Sequence, residues 1–303
     1  MVFVAGVDEN GLGPRLGPLV ATCVTVELSH YDPARVHALG QQLGIDDSKR
    51  TSGFGKMAVA ESLALAVVRA QLGHGPRLAV ELLCALSLDP LAVLQAPCPA
   101  RSAPQCWSEP LQLPAFGGSV EVGAAMLAGL ARHGVRLAHA RSAVMCTSRF
   151  RDEVARRGSR FALDLALFER LLLAARDGCE EDLTAICGMV GGIRRYEAYF
   201  DLFKTRATLS HRARGSVAYA VSALGSVRFE VGADATHLPV ALASMLGKYI
   251  RELAVERQNR FYARHLPSLQ PASGYHDPVT TRFIADTEPV RRRLRIARSC
   301  FER

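Results

Sequence analysis

The chain has 303 residues, of which 49% are hydrophobic and 22% are charged. These proportions are typical of folded globular proteins and exclude the disordered and fibrous classes. The formal net charge of +8 favours a polyanion such as nucleic acid as partner, because cationic side chains displace the counterions of phosphates; a compositional bias toward arginine is the alternative explanation.

The N-terminal part of the chain predicts two β-strands, a helix and an insertion. Residues 2–7 are apolar and β-prone, and a glycine-rich turn separates them from a second β-rich segment at 19–28. Residues 56–72 have the Ala, Leu and Val pattern of a helix. The segment 84–118 contains repeated prolines and a Gly-Gly pair, which interrupt regular structure, so we interpret it as an insertion.

The rest of the chain alternates helices and strands. The predicted elements are a helix at 120–133, a strand at 135–145, a helix at 161–176, a short buried strand at 183–187, a strand or hairpin at 217–231 and a helix at 240–257. The basic segment near 194–216 is interpreted as a second insertion. The pattern predicts an α/β fold with a mixed sheet and helices on both faces, formed by residues 1–255, and a helical C-terminal region at 256–303 packed on it.

Neither export nor membrane insertion is expected from the sequence. No apolar run approaches the roughly 18 to 20 residues that span a bilayer, and no basic segment precedes the apolar start of the chain. The eight cysteines and nine histidines lack the spacing of a zinc site. We therefore expect a reduced, cytoplasmic protein.

Two adjacent carboxylates, Asp8 and Glu9, end the first predicted strand and lead directly into the glycine-rich turn. Two acidic side chains at the end of a buried strand repel each other unless a cation neutralises them. Since neighbouring strand residues face opposite sides, the turn has to bring one carboxylate round to the other. The pair predicts a metal site, and a solvated acidic turn is the alternative.

The segment Val7-Asp8-Glu9-Asn10-Gly11-Leu12-Gly13-Pro14 resembles the opening of the ribonuclease HII family, in which an acidic pair precedes a Gly-x-Gly-Pro turn. Further segments match the family in the same order. They are Gly17 to Ala21, Asp47-Ser48-Lys49, Leu163 to Ala175 before the central strand, the Ala-Ser helix from Ala243 to Glu252, and Gly274-Tyr275. The resemblance covers about two thirds of the chain and leaves the two insertions unassigned.

The resemblance implies a ribonuclease H-like mixed five-stranded sheet flanked by helices. It also implies an endonuclease that cuts the RNA strand of RNA–DNA hybrids, or ribonucleotides embedded in DNA, with Mg²⁺ or Mn²⁺ held by four carboxylates. Hard oxygen ligands suit these ions, and two ions can activate a water molecule and stabilise the leaving oxygen. We expect a monomer that acts on nucleic acid without a membrane.

The resemblance assigns Asp8 and Glu9 to two of the four ligand positions. Glu252 stands at the fourth, where the family has Asp, and its stem is one methylene longer. The third position is Cys187, before Gly188, where the family has Asp; a thiolate is a soft ligand that suits zinc better than magnesium. Asp201 and Asp234 are candidate substitutes for the missing carboxylate.

Six residues are predicted to contact the substrate. Gly11-Leu12-Gly13 stands where the family has Gly-Arg-Gly, which reads the 2′-hydroxyl of RNA, so the backbone contacts can be kept while the arginine contact is lost. Lys49 and Lys248 are predicted phosphate contacts and Tyr275 a stacking residue. Solvated lysines and a packed tyrosine are the alternatives.

Two other functions stay open at this stage. Cys187 and Leu12 favour a catalytically impaired ribonuclease H-like protein that binds nucleic acid. A related nuclease with a different substrate is favoured if the two insertions cover the site. A carboxylate within metal reach of Asp8 and Glu252 favours the enzyme, whereas an apolar or thiol-lined gap favours the binding protein.

Overall fold

A computed structural model describes residues 1–46, 53–54, 56–96, 98, 109–191, 193 and 195–303. The strands are β1 (Val2–Asn10), β2 (Leu19–Leu28), β3 (Arg136–Met145), β4 (Leu183–Gly188), β5 (Ala207–Ala213), β6 (Ser216–Val221) and β7 (Gly225–Glu230). The helices are α1 (Pro33–Gln42), α2 (Ala58–Leu72), α3 (Ala79–Leu86), α4 (Leu91–Gln95), α5 (Val120–Arg132), α6 (Thr147–Arg157), α7 (Arg160–Asp177), α8 (Leu238–Ala263), α9 (Pro278–Asp286) and α10 (Glu288–Arg293).

The described strands form one mixed sheet of seven strands in the order β3-β2-β1-β4-β7-β6-β5. β1 pairs antiparallel with β2 and parallel with β4, and β4 pairs parallel with β7. The predicted α/β class with a mixed sheet is therefore confirmed, whereas the expected number of five strands is corrected to seven.

The strand that the sequence did not predict is β5, within the segment 194–216 that was interpreted as an insertion. It forms the edge of the sheet and pairs antiparallel with β6 alone. All of its residues except Ala207 are exposed, so no alternation of apolar and polar residues marks it. Histidine and arginine on an exposed edge also oppose pairing with another chain.

Helices cover both faces of the sheet, and β1 lies in its interior, next to the middle strand β4. Val4 packs in the core beneath α8, whereas Ala5 and Val7 pack in the core beneath α7. The approach of α8 is so close that a Cβ on Gly6 would lie 2.1 Å from the carbonyl carbon of Pro239. The end of β1 is thus held between α7 on one face and α8 on the other.

The C-terminal region is helical, as predicted, and has an apolar cluster of its own. Leu16 from the β1–β2 turn joins Tyr262, Phe283 and Phe301 in this cluster. The Arg15 side chain also forms an ion pair of 2.6 Å with Glu302. Helix α8 continues through residue 255, where the sequence predicts the boundary between the main domain and the C-terminal region. A boundary at that residue stays a prediction.

The last part of the segment 84–118 is anchored by one buried carboxylate. Glu61 of α2 accepts backbone N–H groups from Ala115, Phe116 and Gly118 at 2.6 to 2.8 Å, and the Tyr249 hydroxyl at 2.9 Å. Helix α4 also lies inside this segment. None of the described helices is both long and apolar enough to cross a membrane.

Candidate metal centre

The carboxylates of Asp8 and Glu9 both lie at the end of β4. A Cβ placed on Gly188 would be 2.9 Å from Oδ1 of Asp8 and 3.8 Å from Oε2 of Glu9. The last β1–β4 pair is Val7 with Cys187, so Gly188 is the first residue of β4 beyond its pairing with β1, while it still pairs with Glu230 of β7. The absence of a side chain at Gly188 leaves room for the acidic pair.

Two further carboxylates act on this pair from different elements. Burial raises the pKa of Glu9 well above its usual value, and the charges of Asp164, Asp8 and Asp234 raise it further. Asp164 lies in the first part of α7, and Asp234 lies in the single 3₁₀ turn Ala233–Ala235 between β7 and α8. Asp8 and Glu9 thus meet at the carboxyl ends of β1 and β4, and the charges of Asp164 and Asp234 reach Glu9 from two other elements.

Asp164 differs from the other buried acidic residues in the described part of the chain. Seven acidic residues are buried in this part of the chain, and the six other than Asp164 accept hydrogen bonds from backbone N–H groups or arginine side chains. These six are Glu61, Asp89, Glu109, Glu169, Glu252 and Glu302. Asp164 is fully buried, and neither of its carboxylate oxygens has a hydrogen-bond partner. Burial and the charge of Asp8 raise the pKa of Asp164 well above its usual value.

Asp164 was not selected as a site residue from the sequence. It lies in the apolar run Leu163-Asp164-Leu165, where a single polar residue in a helix is usually solvated. The signal that was present is its position in the helix that resembles the family's helix before the central strand. Only the packing of α7 against the sheet brings it to Asp8.

Cys187 is fully buried on the α7 side of β4. Burial raises the pKa of its thiol well above the usual value, and Cys23, Asp164 and Asp8 add to this effect. Reactive and metal-binding cysteines use the thiolate, so these surroundings favour a neutral, small side chain at this position. Cys187 therefore lies beside the acidic cluster without adding a charge to it.

The two candidate substitutes, Asp201 and Asp234, have different surroundings. Asp234 acts on Glu9 through its charge. Asp201 instead forms an ion pair of 2.8 Å with Arg157 of α6, and its side chain is 52% exposed. Asp234 is therefore near enough for its charge to raise the pKa of Glu9, whereas Asp201 pairs with a surface arginine.

Glu252 belongs to a separate group of charges on α8. Its Oε1 accepts a hydrogen bond of 2.5 Å from Nη1 of Arg251, which is fully buried. Burial raises the pKa of Glu252, while the positive charges of Arg251 and Lys248 oppose that shift. The charges that act on Glu252 thus come from its own helix, whereas those that act on Glu9 come from Asp8, Asp164 and Asp234.

The predicted substrate-binding turn lies against the C-terminal region. A Cβ on Gly11 would be 3.1 Å from Cδ of Arg251, and the guanidinium of Arg251 stacks on the Tyr275 ring at 4.5 Å. Nη1 of Arg303 donates to the Gly11 carbonyl, and the His276 ring lies 3.1 Å from the Gly13 carbonyl. The structure thus brings Gly11, Gly13 and Tyr275 together.

The other predicted substrate contacts are less closely grouped. The Leu12 side chain packs, partly buried, on the core beneath α7. Lys248 lies on α8, where its charge acts on Glu252, and Lys49 is outside the described residues. Sequence reasoning did not select Arg251 and Arg303, although Arg251 lies within the Ala-Ser helix segment that was matched.

The donor chemistry at the end of β1 fits a hard divalent cation. Carboxylate oxygens are the ligands that Mg²⁺ and Mn²⁺ prefer, and the unpartnered Asp164 carboxylate lacks the positive charge that buried acids normally pair with. Within the residues that the structure describes, no three His, Cys, Asp or Glu side chains are already placed to hold a metal ion. A bound ion would therefore have to draw these carboxylates closer together.

Comparison with known proteins finds a partial match to one ribonuclease. No family model matches the chain. Over 93 residues, or 31% of this chain, it is 37% identical to the ribonuclease HII of Rhodospirillum rubrum. The match spans 37% of the length of that relative. Over these residues it confirms the resemblance to ribonuclease HII that the sequence motifs indicated.

Two solved structures are similar over nearly the whole chain. One is the PCNA:RNase HII complex from Archaeoglobus fulgidus, at 18% identity and a TM-score of 0.46, covering 99% of this chain and 93% of that one. The other is the ribonuclease H2 from Pyrococcus horikoshii OT3, at 15% identity and a TM-score of 0.49, covering 99% and 92%. The α/β fold itself is established by the strand order described above.

Proposed function

We propose that this protein is a metal-dependent endonuclease of the ribonuclease HII type. Its proposed substrates are the RNA strand of RNA–DNA hybrids and ribonucleotides embedded in DNA. The observation that carries the proposal is the meeting of Asp8 and Glu9 at Gly188, where the two parallel central strands end. The partial match to a ribonuclease HII supports the same reaction class.

In this proposal Asp8, Glu9 and Asp234 hold Mg²⁺ or Mn²⁺. When bound, such an ion polarises the phosphate and lowers the pKa of a coordinated water molecule. The carboxylates orient the ion at the open end of the sheet, and their mutual repulsion is relieved when it binds. Glu252 is proposed to orient Arg251 beside the turn, because these two side chains are directly hydrogen-bonded.

The proposed nucleic-acid contacts lie on the turn and the C-terminal region. The backbone of Gly11-Leu12-Gly13 is proposed to face the ribose, and Tyr275, which is 45% exposed, lies next to this turn for stacking on a sugar or base. Lys49 and Lys248 are proposed to contact phosphates. The net charge of +8 favours binding of a nucleic-acid duplex. We propose that the protein binds it as a monomer.

A second candidate function is nucleic-acid binding without efficient cleavage. Cys187 supplies a buried neutral thiol at the position where the family has a carboxylate. In addition, the described residues contain no group of three side chains placed to hold a metal ion. These two observations favour an impaired member of the fold.

A cleavage assay distinguishes the two functions. The substrates are a DNA duplex with one ribonucleotide and a complete RNA–DNA hybrid, each tested in Mg²⁺ and in Mn²⁺. We expect the wild type to cut at least one substrate, Asp8→Asn to lose at least about 1,000-fold in rate because it removes a metal ligand, and the surface variant Asp201→Asn to match the wild type. Duplex binding without cutting in either metal would establish the second function instead.

A further inference from the structure

The carboxyl group of Asp164 is buried without any of the contacts that buried acids need. It is 0% exposed, and neither oxygen has a hydrogen-bond partner. Its neighbours along α7, Leu163 and Leu165, are buried and apolar. Burying an unpaired carboxyl group is costly, and a leucine would avoid the cost, so packing alone does not explain Asp164.

Glu169 on the same helix shows how a structural carboxylate is treated in this protein. Its two oxygens accept backbone N–H groups from Asp201, Leu202 and Phe203 at 3.1 to 3.2 Å. Glu169 is also fully buried, but its charge is satisfied by a loop that folds over it. Asp164 lies about one and a half turns earlier on α7 and has no such loop.

The position of Asp164 is set by the packing of α7 on the sheet. Leu163 and Leu165 share the core cluster that contains Val7 and Cys187. The Asp164 charge acts on both Glu9 and Cys187, and that of Asp8 acts on Asp164. Asp164 therefore lies on the face of the sheet where Cys187 leaves β4 without a charge, close enough for its charge to act on Glu9.

We infer that Asp164 supplies, from helix α7, the metal-binding carboxylate that strand β4 lacks at Cys187. The site is then built by β1, the 3₁₀ turn before α8, and α7, with Asp8, Glu9, Asp234 and Asp164 as the donors. This inference rests on the proposed function, because it assigns a ligand to the same metal site. A bound divalent ion would give the Asp164 oxygens the partner that they lack.

Binding of Mn²⁺ to the full-length protein tests the inference without any nuclease assay. Affinity is measured by calorimetric titration with MnCl₂ and by the rise in Tm that the ion produces, for the wild type, Asp8→Asn, Asp164→Asn and the matched helix variant Glu169→Gln. We expect Asp8→Asn and Asp164→Asn each to lose at least about 10-fold in Mn²⁺ affinity. Glu169→Gln should keep the affinity of the wild type.

The Tm without metal gives a second readout that separates a ligand from a structural residue. Asp164→Leu should raise the metal-free Tm, because it replaces a buried carboxyl group that has no partner by an apolar side chain. Glu169→Gln should lower the metal-free Tm, because it weakens three backbone contacts. A structural role for Asp164 would instead lower the metal-free Tm in Asp164→Leu.

The outcomes separate this inference from the proposed function. Wild-type Mn²⁺ affinity in Asp164→Asn, together with lost affinity in Asp8→Asn, would overturn the role of Asp164 and leave the metal site intact. Absence of Mn²⁺ binding by the wild type would overturn the metal-dependent function, and the role of Asp164 with it. Loss of binding in both Asn variants, with a higher metal-free Tm for Asp164→Leu, is the expected result.

Discussion

Residues 164 and 187 adjoin the same acidic pair, from α7 and β4 respectively. Cys187 occupies the strand position where the ribonuclease HII family has a carboxylate, and Asp164 brings a carboxylate from the facing helix. A neutral thiol at 187 avoids adding another buried charge where Asp164 and Asp8 already raise the pKa of Glu9. Cysteine at 187 is therefore compatible with a metal site when the acidic group is provided by α7.

Gly188 offers a residue-scale test of how the acidic pair is placed. In Gly188→Ala the new Cβ would lie 2.9 Å from Oδ1 of Asp8, so we expect the flexible carboxylate to move away. Because only the end of a side chain has to shift, the free energy of unfolding should change by less than about 1 kcal/mol. Mn²⁺ affinity, measured by calorimetry, should fall at least about 10-fold.

The matched control is Gly75→Ala, since a Cβ at Gly75 meets no atom within 4 Å. This variant should bind Mn²⁺ as tightly as the wild type. Unchanged Mn²⁺ affinity in Gly188→Ala would show that the Asp8 carboxylate does not need its present position beside β4.

At the scale of elements, the local patterns predicted the central strands well. β1, its turn and β2 were expected at 2–7 and 19–28, and they form at Val2–Asn10 and Leu19–Leu28, because the apolar runs and the glycine turn are signals within a few residues. β5 was missed because an exposed edge strand has no apolar face. Asp164 was missed because its role depends on packing between α7 and β1, which no local pattern reports.

Asp89, just after α3, links three helices and gives a prediction about pH. It forms ion pairs with Arg170 of α7 at 2.5 Å and with Arg149 of α6 at 3.4 Å. Burial alone would raise the pKa of Asp89, but the hydrogen bonds and charges of Arg170 and Arg149 outweigh it and hold the pKa below its usual value. The folded state therefore favours the ionised form more than the unfolded chain does.

We expect Asp89→Asn to lower the free energy of unfolding by on the order of 1 kcal/mol at pH 7. Because the folded pKa is depressed, this contribution is complete above the unfolded pKa of about 4 and is lost as the pH falls through the folded pKa. Urea unfolding of both proteins between pH 3 and pH 7 measures the difference. A gap between the two proteins that stayed constant down to pH 3 would contradict a role for the Asp89 charge.

At the scale of the whole molecule, acidic and basic groups lie on adjoining parts of one end of the sheet. The acidic side chains of Asp8 and Glu9 lie at the carboxyl ends of β1 and β4, while Arg251 and Arg303 contact the turn that follows β1. Arg251 is buried and donates to the carbonyl of Leu16 in this turn and to that of Ser273 in the C-terminal region, so it links the two. Phosphates of a duplex would then be met by less buried cations such as Lys248.

This arrangement gives a prediction about salt. Binding of an uncleavable RNA–DNA duplex, measured by fluorescence anisotropy without divalent ions, should weaken as NaCl rises, because bound counterions are released when phosphates are neutralised. Lys248→Ala should reduce the slope of log K against log[salt] by about 1, since it removes one phosphate contact. Lys204→Ala, which changes an exposed lysine in the turn after Asp201, should leave the slope unchanged. Equal slopes for the wild type and Lys248→Ala would show that Lys248 does not contact phosphate. A larger change of slope in Lys204→Ala would indicate that the duplex binds nearer the β5 side of the sheet.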